Sequence, residues 1–134
     1  MRNYIAWLVG SLFVIVLAGC GKQQPVSGKI IYADGTPMPG GGQITFTPLE
    51  PQNKQSALGM IKEDGTYRMG TTGEADGVAE GKYGITIIPT PPKNPNRPPP
   101  GWPPLHKKYT NYKTSELECI VKRGQNTHDI TVEK

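Results

Sequence analysis

Lys82-Tyr83-Gly84-Ile85-Thr86-Ile87-Ile88 is the stretch from which the fold can be read. Tyr83, Ile85 and Ile87 fall on one face and Gly84, Thr86 and Ile88 on the other. A period of two carried by β-branched and aromatic residues marks a strand. The alternation recurs at shorter length along the chain. Val26 to Tyr32 sets Val26, Gly28, Ile30 and Tyr32 against Ser27, Lys29 and Ile31. Gln43 to Thr47 turns Ile44 and Phe46 inward, and Thr66 to Met69 does the same with Tyr67 and Met69. Ser56 to Lys62 reads as a further strand, weakly patterned. Leu117 to Val121 puts Leu117, Cys119 and Val121 on one face, and His128 to Val132 follows it.

Turn formers separate these runs. Asp34-Gly35 and Asp64-Gly65 tolerate the backbone angles that tight turns require. Pro37, Pro39 and Gly40-Gly41-Gly42 prolong the first of these loops, and Lys122 to Asn126 connects the last two strands. With 17 Gly, 14 Pro and a hydrophobic fraction of 35%, the composition favours short strands and many turns over helices. The sum is about seven strands, no internal helix and an all-β antiparallel sandwich. Residues 89–104 break the pattern. They carry Pro89, Pro91, Pro92, Pro95, Pro98, Pro99, Pro100, Pro103 and Pro104, which excludes a central strand or a helix and predicts a stiff, extended, largely polyproline II segment.

The amino terminus is of another kind. Met1-Arg2-Asn3 carries one positive charge, and Ile5 to Ala18 is apolar apart from Gly10 and Ser11. That run is shorter than the roughly 20 residues a membrane span needs, and its layout is that of a secretory signal helix. It ends in Leu17-Ala18-Gly19-Cys20, which resembles the lipobox of bacterial lipoproteins. The resemblance implies cleavage between Gly19 and Cys20 and attachment of lipid to the Cys20 thiol. Residues 1–19 are then a signal peptide, 20–25 a short polar tether and 26–134 the domain. Stable anchoring follows from two or more acyl chains. The partner is thus a membrane, and Gly21 after the Cys, where Asp commonly signals inner-membrane retention, favours the outer one if the cell has two.

Val26-x-Gly28-x-Ile30, Asp34-Gly35-x-Pro37-Met38-x-Gly40 and Ile44-x-Phe46 resemble the opening of a carboxypeptidase regulatory-like domain. Asp64-Gly65-x-Tyr67-x-Met69 is similar to its central hairpin, and Gly81-Lys82-Tyr83-x-Ile85-x-Ile87 to its next strand, although Ala79-Glu80 stand where a Pro is common. Tyr109-Thr110-Asn111, Thr114-Ser115-x-Leu117-x-Cys119-x-Val121 and Asn126-x-x-Asp129-Ile130 resemble the closing strands of small lipoproteins of this kind. The resemblance implies a transthyretin-like Greek-key sandwich without catalysis, acting as a spacer, stabiliser or binding module in the cell envelope.

The residues offer little chemistry of their own. His106 and His128 lack the further ligands a zinc site needs. Ser27, Ser56 and Ser115 have no His and Asp placed to activate them, and no phosphate-binding loop is present. Asp34, Glu63, Asp64, Glu74 and Asp76 lie on turns without the spacing of a calcium loop. No catalytic residue, metal or cofactor is therefore assigned. With lipid on Cys20, Cys119 has no disulfide partner and reads as a small buried hydrophobe. The formal charge of +4 is dispersed, and export of the chain argues against a nucleic-acid partner. Trp102, Tyr109 and Tyr112, with Lys107, Lys108 and Lys113 beside them, form the binding candidate. They either stack on a polysaccharide or an envelope protein, or cover the sheet edge and fill a satellite core.

Overall fold

The computed structural model describes residues 23–50, 54–73 and 75–134. Residues 1–19, expected as a signal peptide, the expected cleavage site at Gly19 and Cys20, the expected lipidation at Cys20, and Glu74 lie outside the described residues. The strands are β1 (Gln23–Gln24), β2 (Val26–Tyr32), β3 (Gly42–Glu50), β4 (Ala57–Ile61), β5 (Thr66–Gly70), β6 (Val78–Ala79), β7 (Gly81–Pro89), β8 (Glu118–Val121), β9 (Asn126–Thr127) and β10 (Ile130–Val132). A single turn of 3-10 helix spans Lys107–Thr110. The chain is all-β, and its main sheet runs β10-β2-β5-β4-β3-β7-β8, curling into a near-barrel. β3, β4 and β5 follow one another as antiparallel neighbours, and β7 returns beside β3. That order is a Greek key.

Alternation decides which residues fill the interior. Ile44 and Phe46 of β3 stand opposite Ile87 and Ile85 of β7, and all four are fully buried. The Phe46 and Tyr83 rings meet at 5.9 Å between centroids. Val26, Ile30 and Tyr32, Tyr67 and Met69, Cys119 and Val121, and Ile130 and Val132 close the same core. The β3–β7 register shifts between Pro48 and Glu50, where Pro48 has no N–H to give to the ladder.

Both Asp-Gly turns are closed by the side chain the sequence supplies. Asp34 Oδ1 accepts from Thr36 N at 3.0 Å and Thr36 Oγ1 at 2.6 Å, and Asp64 repeats this with Thr66 at the same distances. These bonds hold both carboxyls below their ordinary range. Their stabilisation is therefore present above the unfolded carboxyl value and lost as pH falls through the folded one.

Three features differ from the sequence expectation. The sheet is not wholly antiparallel, because β9 and β10 both pair with β2 in parallel. No hairpin links β8 to them. Residues 122–125 carry the chain across to β9, so turn signals do not set its direction. Second, strand pairing begins within residues 20–25, which the sequence reading gives to a tether. Gln23 and Gln24 pair with Ala79 and Val78, and Gln24 is buried with its Oε1 accepting from Gly124 N at 2.8 Å. Third, the Pro-rich segment contains turns. Arg97 N donates to Asn94 O at 3.0 Å and Trp102 N to Pro99 O at 3.1 Å, while Asn94 Oδ1 accepts from Asn96 N. Asn94 and Gly101 interrupt the proline runs, and an Asn side chain can close a turn on its own backbone.

Cys119 lies in the core as a free thiol, and burial pushes it up to about 11. Because the folded value is raised, the stability gained from the neutral thiol is complete below the unfolded value of about 8.5. It is lost as pH climbs through about 11. Burial raises Tyr67 and Tyr83 as well, so their contribution has the same sign. The urea midpoint should fall on the alkaline side, and the slope should lessen in Cys119→Val. A thiol reagent at pH 8 should react with the native protein about a hundredfold more slowly than with the unfolded chain. Equal rates would place Cys119 outside the core.

Candidate functional site

The end of β7 and the end of β10 position the aromatic group. The Pro-rich segment leaves β7 and is pinned at its far end, where Tyr32 Oη donates to Pro104 O at 2.6 Å. Leu105 enters the core, and His106 N donates to Glu133 O at 2.9 Å. His106 then caps the 3-10 helix, its Nδ1 accepting from Lys108 N at 3.1 Å. Thr114 Oγ1 donates to Lys108 O at 2.7 Å, and Ser115 N to Asn111 O at 2.9 Å, so residues 106–115 form a tight cover.

In this cover the three aromatic residues have different fates. Tyr109 is 3% exposed and belongs to the core. Its hydroxyl accepts from Glu133 N at 3.0 Å, which ties the cover to the last strand. Tyr112 lies across Gly84, where a β-carbon would stand 3.1 Å from its ring. Glycine at position 84 is thus a seat for the Tyr112 ring. Trp102 alone stands in the Pro-rich loop, half-buried among exposed neighbours. A buried ring cannot stack on a ligand, so Tyr109 fills the core, while Tyr112, half-buried like Trp102, rests on β7. Lys108 Nζ sits 5.2 Å above the Tyr109 ring and 3.0 Å from Glu133 Oε2. The bond raises Lys108 and lowers Glu133, but both groups face solvent and such a pair stabilises little.

The turn carboxylates are similarly occupied. Asp76 Oδ1 accepts from Thr71 N at 2.6 Å, and Oδ2 accepts from Thr72 N at 3.1 Å and Thr72 Oγ1 at 2.6 Å. Among the described residues no three His, Cys, Asp or Glu side chains converge as a metal site would require. His128 is drawn down by burial. Its carbonyl accepts from Tyr67 Oη, and its N donates to Ser27 O at 2.8 Å.

Sequence reasoning missed a second surface. On the outer face of β2, β5 and β4 lies a shallow trough of ≈ 1430 Å³, lined among others by Lys29, Leu58, Met60, Lys62, Arg68 and Asp129. Met60 is 68% and Leu58 53% exposed. The signal for it was the weak patterning of Ser56 to Lys62. Ala57, Gly59 and Ile61 are buried, but the outward positions are apolar too, so the contrast between faces is lost.

Comparison with protein-family models, with curated proteins and with solved structures finds no match to this chain.

Proposed function

We propose that this is a non-enzymatic, lipid-anchored protein of the bacterial cell envelope, whose β-domain is a structural or protein-interaction module. The observation that carries the reading is Cys20 directly after Leu17-Ala18-Gly19, at the end of a short apolar run with a basic start. The side chains that could have suggested catalysis support it by their placement. His106 caps a helix, Asp34, Asp64 and Asp76 close turns, and Ser115 is buried between backbone partners. The carboxypeptidase regulatory-like, transthyretin-like ancestry implied by the sequence resemblance belongs to this proposal. Cys20→Ala should accumulate as an uncut, unlipidated precursor. Normal cleavage and lipid labelling of that variant would refute the anchor.

Trp102 favours a second reading, a glycan- or ligand-binding lipoprotein, because the residue is only half-buried in an otherwise exposed loop. Stacking of a sugar on one such ring contributes an affinity that truncation removes. Trp102→Ala should then lose binding to a polysaccharide panel by about tenfold with the fold intact. Unchanged binding would return Trp102 to a packing role.

A further inference from the structure

The trough lies beside the point at which the chain enters the domain. Ser27 and Gly28 line it from β2, and Ser27 is only about 13 Å along an extended chain from Gln23. After β5, Thr71, Thr72, Gly73 and Ala75 line it too. That loop is held by Asp76 and runs into Gly77, where a β-carbon would be 2.6 Å from Gln24 O. The segment before β2 therefore passes directly against the loop that borders the trough. Cys20 precedes Gln23 by three residues, which reach at most about 11 Å. A lipid on Cys20 holds this end of the domain at the bilayer surface.

The chemistry of the face suits that position. Its centre is Leu58 and Met60, exposed and apolar, with Gln43 of β3 paired to Met60. Around them Lys29, Lys62 and Arg68 supply three cations, all exposed. The lining carries these three cations against one acid, Asp129, whose Oδ1 accepts from Lys29 N at 3.0 Å, while Asp64, held by Thr66 close to Lys62 and Lys29, stays ionised and offsets part of their charge. An apolar centre with a basic rim is the pattern of surfaces that lie on anionic membranes. A protein-binding hot spot would instead present an exposed aromatic anchor, and among the described residues the only aromatic side chain of this trough, Tyr67, is buried.

From these observations we infer that the outer face of β2, β4 and β5 is a bilayer-docking surface, with Leu58 and Met60 against the headgroup boundary and Lys29, Lys62 and Arg68 on anionic lipid phosphates. This rests on the lipid anchor at Cys20. Docking of this face fixes the orientation of the domain and turns the Pro-rich segment and Trp102 into the parts whose access depends on it.

The test uses the full protein purified from membranes, its mass first showing the lipid, in vesicles of phosphatidylethanolamine and phosphatidylglycerol. Met60→Cys and Ile120→Cys, both at exposed positions, are each labelled with an environment-sensitive fluorophore. Cys119 stays unlabelled because it is buried. Quenching by spin-labelled lipid should be about fivefold stronger at position 60 than at 120. It should fall by about fivefold for each cation reversed in Lys62→Glu and Arg68→Glu, and fall likewise in pure phosphatidylcholine. Equal or absent quenching at position 60 in lipidated protein overturns the docking face and leaves the anchor standing. Quenching that survives both charge reversals and neutral lipid also overturns it, in favour of adventitious apolar contact. A purified mass without lipid removes the anchor and the docking face together.

Discussion

Phe46→Ala should lower the unfolding free energy by about 3–5 kcal/mol, read as a lower urea midpoint at unchanged slope. Phe46 is fully buried, stands opposite Ile85 and Ala57 across its two ladders, and meets the Tyr83 ring. Its removal leaves a cavity between β3 and β7, the longest pairing among the described residues. That lost packing is a large share of the roughly 5–15 kcal/mol that holds a domain of this size. Phe46→Leu keeps most of the volume and should cost about 1 kcal/mol. A loss below about 1 kcal/mol for the alanine variant would mean that the β3–β7 layer is not the core.

Gly28→Ala should destabilise by about 3 kcal/mol, although a single methyl is added. A β-carbon at Gly28 would stand 2.6 Å from the carbonyl carbon of His128 and 2.9 Å from Tyr67 Oη. It therefore strikes the backbone where β2 receives the C-terminal chain in parallel, and it displaces the hydroxyl that donates to His128 O. Hydrogen exchange should quicken at residues 126–132 ahead of the rest of the sheet. Tyr67→Phe removes the hydrogen bond without the clash and should cost about 1 kcal/mol. A neutral Gly28→Ala would show that β9 and β10 do not lie against β2.

The glycine at 28 also shows what the sequence could and could not reveal. Alternation placed Gly28 on the inner face with Val26 and Ile30, and the structure keeps it there. The reason, a neighbouring strand backbone passing over it, comes from a residue 100 positions away and leaves no local trace. The hairpins were legible because their determinants are local. Asp34-Gly35-Thr36 and Asp64-Gly65-Thr66 carry both the turn and its closing side chain. The two-residue ladder of Gln23–Gln24 with Val78–Ala79 is too short to have a period, so it was not visible. The parallel direction of β9 and β10 depends on how residues 122–125 carry the chain from β8 to β2.

The candidate site was legible in composition but not in geometry. Trp102, Tyr109 and Tyr112 are close in sequence, and proximity alone groups them. The register of the cover residues 106–115 then separates them, sending Tyr109 inward to meet Glu133 N and laying Tyr112 on Gly84. Conversely, Lys29, Met60 and Arg68 are distant in sequence and become neighbours through the β2–β5 and β4–β5 registers, which pair Ser27 with Arg68 and Arg68 with Met60. Only the pairing order brings that basic, apolar face together.

The lipid on Cys20 is tested most directly by the intact mass of the protein extracted from the membranes of its own cells. The expected mass is that of residues 20–134 plus acyl chains. A mass equal to the full chain, or to a truncated chain without lipid, would contradict it.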